Sequence, residues 1–296
     1  MKTTKTILFP TDFSEASAAM AGYARSISQR FAASITVLHA FDLVRDYNFA
    51  LPPDTSNITE GIEIPYTPAL EGLRKESQER LEEFARNQFP NIQHVVRIQD
   101  GDPATVIECV TNRETPDLIM MATKGHGRFR RMLVGSLTAK VLHDLACPLF
   151  TSAHEPNRSA LPREPAFSSI VCAVDLNQEA SEILKAAALF SKTYGAKLCL
   201  VHIGSTTSGQ NEERRPAELV SEAFQKVLDA EDPGISMRAQ VCVLNAGIVD
   251  GVRKVALQEN ADLVVVGRGH ERGNFSRIWS HLYSIIRESP CPVLSV

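Results

Sequence analysis

Thr6–Phe13 reads TILFPTDF and Ser34–Ala40 reads SITVLHA; Ser169–Asn177 (SIVCAVDLN) and Lys197–Ile203 (KLCLVHI) repeat that pair 163 residues further on. Asp12 returns as Asp175 and His39 as His202. Later landmarks recur at shorter spacings: Asp117–Ala122 (DLIMMA) matches Asp262–Gly267 (DLVVVG), and Cys147-Pro148-Leu149 matches Cys291-Pro292-Val293, at 145 and 144 residues. A period of nearly half the chain means a duplicated unit, and the shrinking offset means that the second copy is shorter. The difference falls at Asp42–Pro68, a Pro- and Gly-punctuated insert that the second copy crosses between Gly204 and Pro216. Structureless loops longer than about 12–15 residues are uncommon, which leaves a disordered or packing loop and a lid both open. His154–Phe167 (HEPNRSALPREPAF) has linker composition and no periodicity. The predicted organisation is domain 1 over residues 1–153, a linker over 154–167 and domain 2 over 168–296.

The apolar runs are continuous, as in strands covered on both faces of a parallel sheet. Between them lie segments with helical spacing: Ala16–Phe31, Ala69–Phe89, Ala104–Arg113 and Ser136–Leu145, then Glu179–Tyr194, Ala217–Ala230, Val249–Glu259 and Ser280–Glu288. Strict alternation of strand and helix predicts an α/β fold with right-handed crossovers. Each half is then an open parallel five-stranded sheet with helices on both faces.

Composition excludes several function classes. Lys+Arg 31 against Asp+Glu 35 gives a net charge of -4, so there is no bulk cationic field for nucleic acid or an anionic membrane. Apolar stretches fall far short of the roughly 20 residues that span a bilayer, so no membrane insertion is expected. The first residues lack the apolar core of a signal peptide, which predicts a cytoplasmic location. Six cysteines form no C-x-x-C pair and read as reduced, structural thiols. Eight histidines show no H-x3-H spacing, so no metal ligands are nominated. No G-x4-G-K-[ST] loop and no G-x-S-x-G elbow is present, and no catalytic residue is nominated.

In open α/β sheets ligands bind beyond the carboxyl ends of the strands, where strand order reverses. After the first strand stand Pro10, Thr11 and Asp12, with Ser14 placed as an N-cap. Asp12 reads either as a turn acid or as the acceptor for a ligand amine or ribose hydroxyl. After the fourth strand comes Ala122-Thr123-Lys124-Gly125-His126-Gly127-Arg128, a basic stretch, and then Gly135-Ser136-Leu137-Thr138 opening a helix. Glycines that let backbone N–H groups approach, a helix N-terminus and a serine hydroxyl together make an anion cradle.

These landmarks resemble the universal stress protein family in tandem form, over nearly the whole chain. Nucleotide-binding members of that family carry G-x2-G-x9-G-[S/T] after the fourth strand. Gly125-x9-Gly135-Ser136 matches all but the first glycine, which here is Ala122. The D-F-S after the first strand and the repeated C-P before the last strand are similar too. The resemblance implies a Rossmann-like, adenine nucleotide α-hydrolase-like fold that binds ATP (or ADP or AMP), with Mg2+ as an accompanying ion, in a stress-response regulator or sensor. Carried over to this sequence, it implicates Asp12 on the adenine or ribose side, Gly125, Gly135 and Ser136 on the phosphates, and Ala40 and Thr138 more weakly. Pro10, Thr11, Ala122, Lys124, Arg128 and Leu137 complete the candidate contacts. The activity implied is at most that of a slow ATPase.

The second copy departs from the pattern. Gly267 and Gly269 remain as G-x-G, but Trp279 falls where Gly135 stands and Ser280 where Ser136 stands. An indole at the helix entrance predicts a degenerate second site around Asp175, Gly267, Gly269, Trp279 and Ser280. The resemblance also implies that the last strands, Pro148–Ser152 and Pro292–Val296, pair within one chain, and it leaves room for a homodimer. The alternative is a stress-linked interaction or scaffold protein that binds no nucleotide, with an unknown protein partner or with a lipid or metal ligand.

Overall fold

The computed structural model of the 296-residue chain describes residues 4–42, 68–123, 135–152, 166–174, 180–204, 239–268 and 277–296, with 221, 222, 224–226, 229 and 234 from the segment between. Insert residues 43–67, Lys124, Gly125, Arg128, linker residues 154–165, Asp175, Gly269 and most of the helix expected at Ala217–Ala230 lie outside them.

The first half runs β1 (Thr6–Pro10), α1 (Glu15–Phe31), β2 (Ser34–Phe41), α2 (Pro68–Gln88), β3 (His94–Asp100), α3 (Pro103–Glu114), β4 (Leu118–Ala122), α4 (Ser136–Asp144) and β5 (Leu149–Ser152). The second runs β6 (Ser169–Ala173), α5 (Ala180–Tyr194), β7 (Lys197–Gly204), β8 (Gln240–Asn245), α6 (Ile248–Gln258), β9 (Leu263–Val266), α7 (Arg277–Glu288) and β10 (Val293–Ser295). Helix limits agree with the sequence spacing to within a residue, except that α7 begins at Arg277 instead of Ser280.

The two five-stranded sets form one ten-stranded sheet in the order β3-β2-β1-β4-β5-β10-β9-β6-β7-β8. Every pairing is parallel except the central one, where β5 and β10 run antiparallel with Phe150 opposite Leu294. The pairing expected between the two last strands is therefore present. Strand residues alternate between two buried layers: Ile7 and Phe9 belong to the layer that includes α1, α2 and α5, and Leu8 to the layer that includes α3, α4, α6 and α7. Burial on both faces explains why these strands read as unbroken apolar runs.

Packing crosses the junction. The Tyr23 ring lies 5.5 Å from Phe150 and 6.1 Å from Phe167, Phe31 lies 5.0 Å from Phe190, and Ser26 Oγ and Tyr194 Oη are 3.1 Å apart. The duplication extends to individual hydrogen bonds. Asp117 Oδ2 accepts from the amides of Lys5 and Thr6 at 2.8 and 3.0 Å, and Asp262 Oδ2 accepts from those of Ser168 and Ser169 at 2.7 and 3.1 Å. In each half, then, the aspartate ahead of the fourth strand fixes the start of the first.

Candidate functional site

Strand order reverses between β1 and β4, so the crevice at their carboxyl ends is where a ligand site is expected. On the β1 side the chain leaves Pro10 into a tight turn. The Thr11 amide donates to Leu38 O at 2.8 Å, and the Thr11 carbonyl accepts from His39 Nδ1 at 2.9 Å, which puts that ring proton on Nδ1. Thr11 Oγ1 accepts from the Phe13 amide at 3.0 Å. Asp12 Oδ1 accepts from the Ser14 amide at 3.0 Å and from Ser17 Oγ at 2.7 Å. Asp12 therefore does serve as a turn and helix-start acid, while its half-buried position keeps it at the rim.

Phe13 has φ 62, a left-handed conformation that is unusual for a bulky residue and costs on the order of 1–3 kcal/mol. Its surroundings hold it there. The His39 ring lies 4.4 Å away and Phe84 6.0 Å, and the Arg80 guanidinium carbon sits 4.5 Å over the ring. Cation–π attraction at an exposed site is worth about 0.5–1 kcal/mol and offsets part of the strain.

On the β4 side, Thr123 is buried and its Oγ1 donates to Ser152 O at 2.9 Å. The Thr123 carbonyl accepts from the Gly135 amide at 2.9 Å, and the Ala122 carbonyl accepts from Thr138 Oγ1 at 3.3 Å. These two bonds seat the start of α4 on the end of β4. Gly135 is the N-cap with φ -58, an angle open to any residue, but a Cβ there would stand 2.8 Å from Thr123 O. The glycine is required by space, not by backbone angle. Ser14 caps α1 and Asp102 caps α3 with side-chain oxygens, whereas α4 has no side-chain cap among the described residues. Ser136 in its first turn is exposed, and at such a helix start the dipole and the unpaired N–H groups favour an anion.

The structure thus places Pro10, Thr11 and Asp12 at the carboxyl end of β1, and Ala122, Gly135, Ser136 and Thr138 at the end of the neighbouring β4, with Leu137 half-buried on α4. Ala40 lies on β2 opposite Gln99 of β3, one strand further out. Phe13, His39 and Thr123 also shape the crevice and were not nominated from sequence. His39 left a trace, since His202 repeats its bond by reaching Val174 O at 3.2 Å.

The corresponding place in the second half is built differently. A Cβ at Gly267 would come within 2.3 Å of Ile183 Cδ1, so an α5 side chain covers the end of β9. Arg268 stands where Thr123 does and is 1% exposed. Its guanidinium turns to the junction between halves, with Nε donating to Ser295 Oγ at 3.1 Å and Nη1 to Leu145 O at 2.5 Å. Burial lowers its pKa to about 10. Because α7 begins at Arg277, Trp279 and Ser280 lie inside its first turn and not at its cap.

Among the described residues no group of three or more His, Cys, Asp or Glu could hold a metal ion, and no helix is long and apolar enough to cross a membrane.

Known proteins share this fold. A crystallised universal stress protein from Archaeoglobus fulgidus superposes with a TM-score of 0.73 at 22% identity, covering 100% of this chain and 98% of that one, which shows the shared fold. A universal stress protein of Thermus aquaticus is 30% identical over 146 residues, 49% of this chain and 96% of its own. One from Methanocaldococcus jannaschii is 25% identical over 145 residues, 49% of this chain and 79% of its own. The family model described as "Universal stress protein family" matches residues 3–151 and again 166–296. The chain belongs to the universal stress protein family and carries its domain twice.

Proposed function

We propose that the first half binds an adenine nucleotide, ATP or its di- or monophosphate, in the crevice between β1 and β4, and that the protein acts as a stress-response regulator or sensor. The observation that carries this reading is the start of α4: a glycine N-cap seated on the Thr123 carbonyl, no side-chain cap among the described residues, and an exposed Ser136 near the switch point of the sheet. These groups fit a phosphate chain, and Asp12 across the crevice fits a ribose hydroxyl or an adenine amine. Mg2+ would arrive with the phosphates, because the described residues offer no metal cluster of their own. The proposal is of binding, not turnover.

For the second half we propose no nucleotide. Ile183 over Gly267, Arg268 turned to the junction and the earlier start of α7 support that reading.

The test is the nucleotide content of freshly purified protein, released by acid and resolved by chromatography, beside the variant Ser136→Glu. An acid in the first turn favours the helix dipole and repels phosphate. The expected result is about one adenine nucleotide per chain, lost in the variant with thermal stability kept. Nucleotide retained equally by the variant would overturn the phosphate cradle. Protein free of nucleotide that takes up none on addition of ATP would turn the reading to an interaction module.

A further inference from the structure

The edge of the sheet in the second half holds a pair of thiols in contact. Cys199 on β7 and Cys242 on β8 have their sulfur atoms 3.5 Å apart. The parallel register places Cys199 opposite Gln240 and Cys242 opposite Val201, so the two lie diagonally on one face of the sheet. Their accessibilities differ: Cys199 is 4% exposed, whereas Cys242 is half-buried on the terminal strand of the sheet order.

The hydrogen bonds give the two sulfurs unequal roles. The Cys199 S–H donates to Cys242 Sγ, and Gln240 Nε2 donates to the same sulfur at 3.8 Å. Cys242 therefore accepts two bonds and, as the more exposed sulfur of the pair, is the one that a reagent from solvent meets first. Cys199 is pushed well above the usual thiol range, first by burial and then by its bond to Cys242, so it keeps its proton.

The other cysteines are placed differently. Cys172 is fully buried, the Cys147 thiol lies 3.1 Å from Pro116 O, Cys291 lies against Ser289, and Cys109 is exposed on α3.

We propose that Cys199 and Cys242 form a dithiol site that hydroperoxides oxidise to an intramolecular disulfide. The Cys242 thiolate attacks the O–O bond of a hydroperoxide and becomes a sulfenic acid, while the departing alkoxide or hydroxide takes a proton and leaves as alcohol or water. The Cys199 sulfur then displaces the sulfenic hydroxyl, and the Cys199 proton leaves with it as a second molecule, water. Two thiols lose two electrons in total and one hydroperoxide gains them. Closure needs the sulfurs to move from 3.5 Å to a bond of about 2.05 Å. The disulfide ties the edge strand β8 to β7, and an external dithiol reverses it by exchange.

The experiment uses the full chain carrying Cys109→Ser, which removes the exposed thiol. The folded protein is treated with hydrogen peroxide, its remaining thiols are counted in denaturant, and its tryptic peptides are mapped. The expected result is loss of two of the five remaining thiols and a link between peptides 198–214 and 239–253 that disappears on reduction. With Cys199→Ala added, a 1,3-diketone probe is expected to label Cys242. With Cys242→Ala added, Cys199 is expected to stay reduced. Five intact thiols in the folded protein, or a link between other cysteines, would overturn the proposal. Probe label on Cys199 in the Cys242→Ala chain would overturn the assigned order of attack. Should either alanine variant not fold, the peptide map of the Cys109→Ser chain decides the site alone.

Discussion

The amide of Gly135 donates to the carbonyl of Thr123 at 2.9 Å, and a Cβ on Gly135 would stand 2.8 Å from that same oxygen. One contact thus fixes both where α4 begins and which residue can begin it. The rim of the candidate site and the packing of α4 on β4 share a single glycine.

Gly135→Ala is expected to lower stability by about 1–3 kcal/mol, the usual cost of forcing a carbon into a packed place. Urea denaturation of the full chain checks this. An unchanged midpoint would mean that α4 slides off β4 without cost.

Asp102 caps α3, its Oδ2 accepting from the Thr105 amide at 3.1 Å, and that bond holds its carboxyl below the ordinary value. Asp102→Ala is expected to cost about 1 kcal/mol. Because the carboxyl is more acidic in the folded chain, its extra stabilisation is complete above the unfolded pKa and fades as pH falls through the folded one. Asp102→Asn caps without the charge. The gap between it and the parent chain, read from denaturation midpoints, should narrow as the pH is taken from neutral to acid. A constant gap would show that the charge contributes nothing.

Arg268 tests the junction between the halves. Its pKa is lowered to about 10 by burial, so the unfolded chain holds that proton more tightly and the buried charge opposes folding at neutral pH. Its bonds to Leu145 O and Ser295 Oγ oppose that cost. Arg268→Met, which keeps the volume and removes the charge, is expected to leave stability within about 1.5 kcal/mol of the parent. Arg268→Ala leaves a cavity and is expected to lose roughly 2–5 kcal/mol. If the two variants fall equally in calorimetry, the guanidinium bonds and not the packing hold this place.

A fragment ending at residue 152 uncovers β5, whose outer edge is paired in the whole chain by β10 with Phe150 opposite Leu294. An exposed apolar edge seeks a strand, and two copies of β5 can satisfy each other antiparallel about a twofold axis. Sedimentation of the fragment is expected to show a dimer that Phe150→Lys weakens. A monomer at high concentration would mean that β5 needs β10 in particular.

Much of the fold was legible because a duplicated chain prints its pattern twice. Ile7, Leu8 and Phe9 and their counterparts Ile170, Val171 and Cys172 are buried on both faces, and an unbroken apolar run is the direct trace of that burial. Asp12 and Ser14 also announced the turn and cap they form. Less was legible at the crevice. Thr138 read as a ligand contact, yet its hydroxyl donates to Ala122 O. No local pattern foretold the left-handed Phe13, which is held by His39, Phe84 and Arg80 from other elements. Trp279 read as a helix entrance, and the earlier start of α7 puts it inside the helix.

By itself the sequence determined two successive α/β halves and the strand ends where a ligand would meet them, because hydrophobic period and turn residues are local properties that each segment carries with it. Only the tertiary structure decided why Gly135 is glycine, where Arg268 points, and that Cys199 and Cys242 touch. Each of those facts is a contact between residues at least a dozen positions apart. It is set by strand register and by which atoms fill a shared space, which no single stretch of chain records.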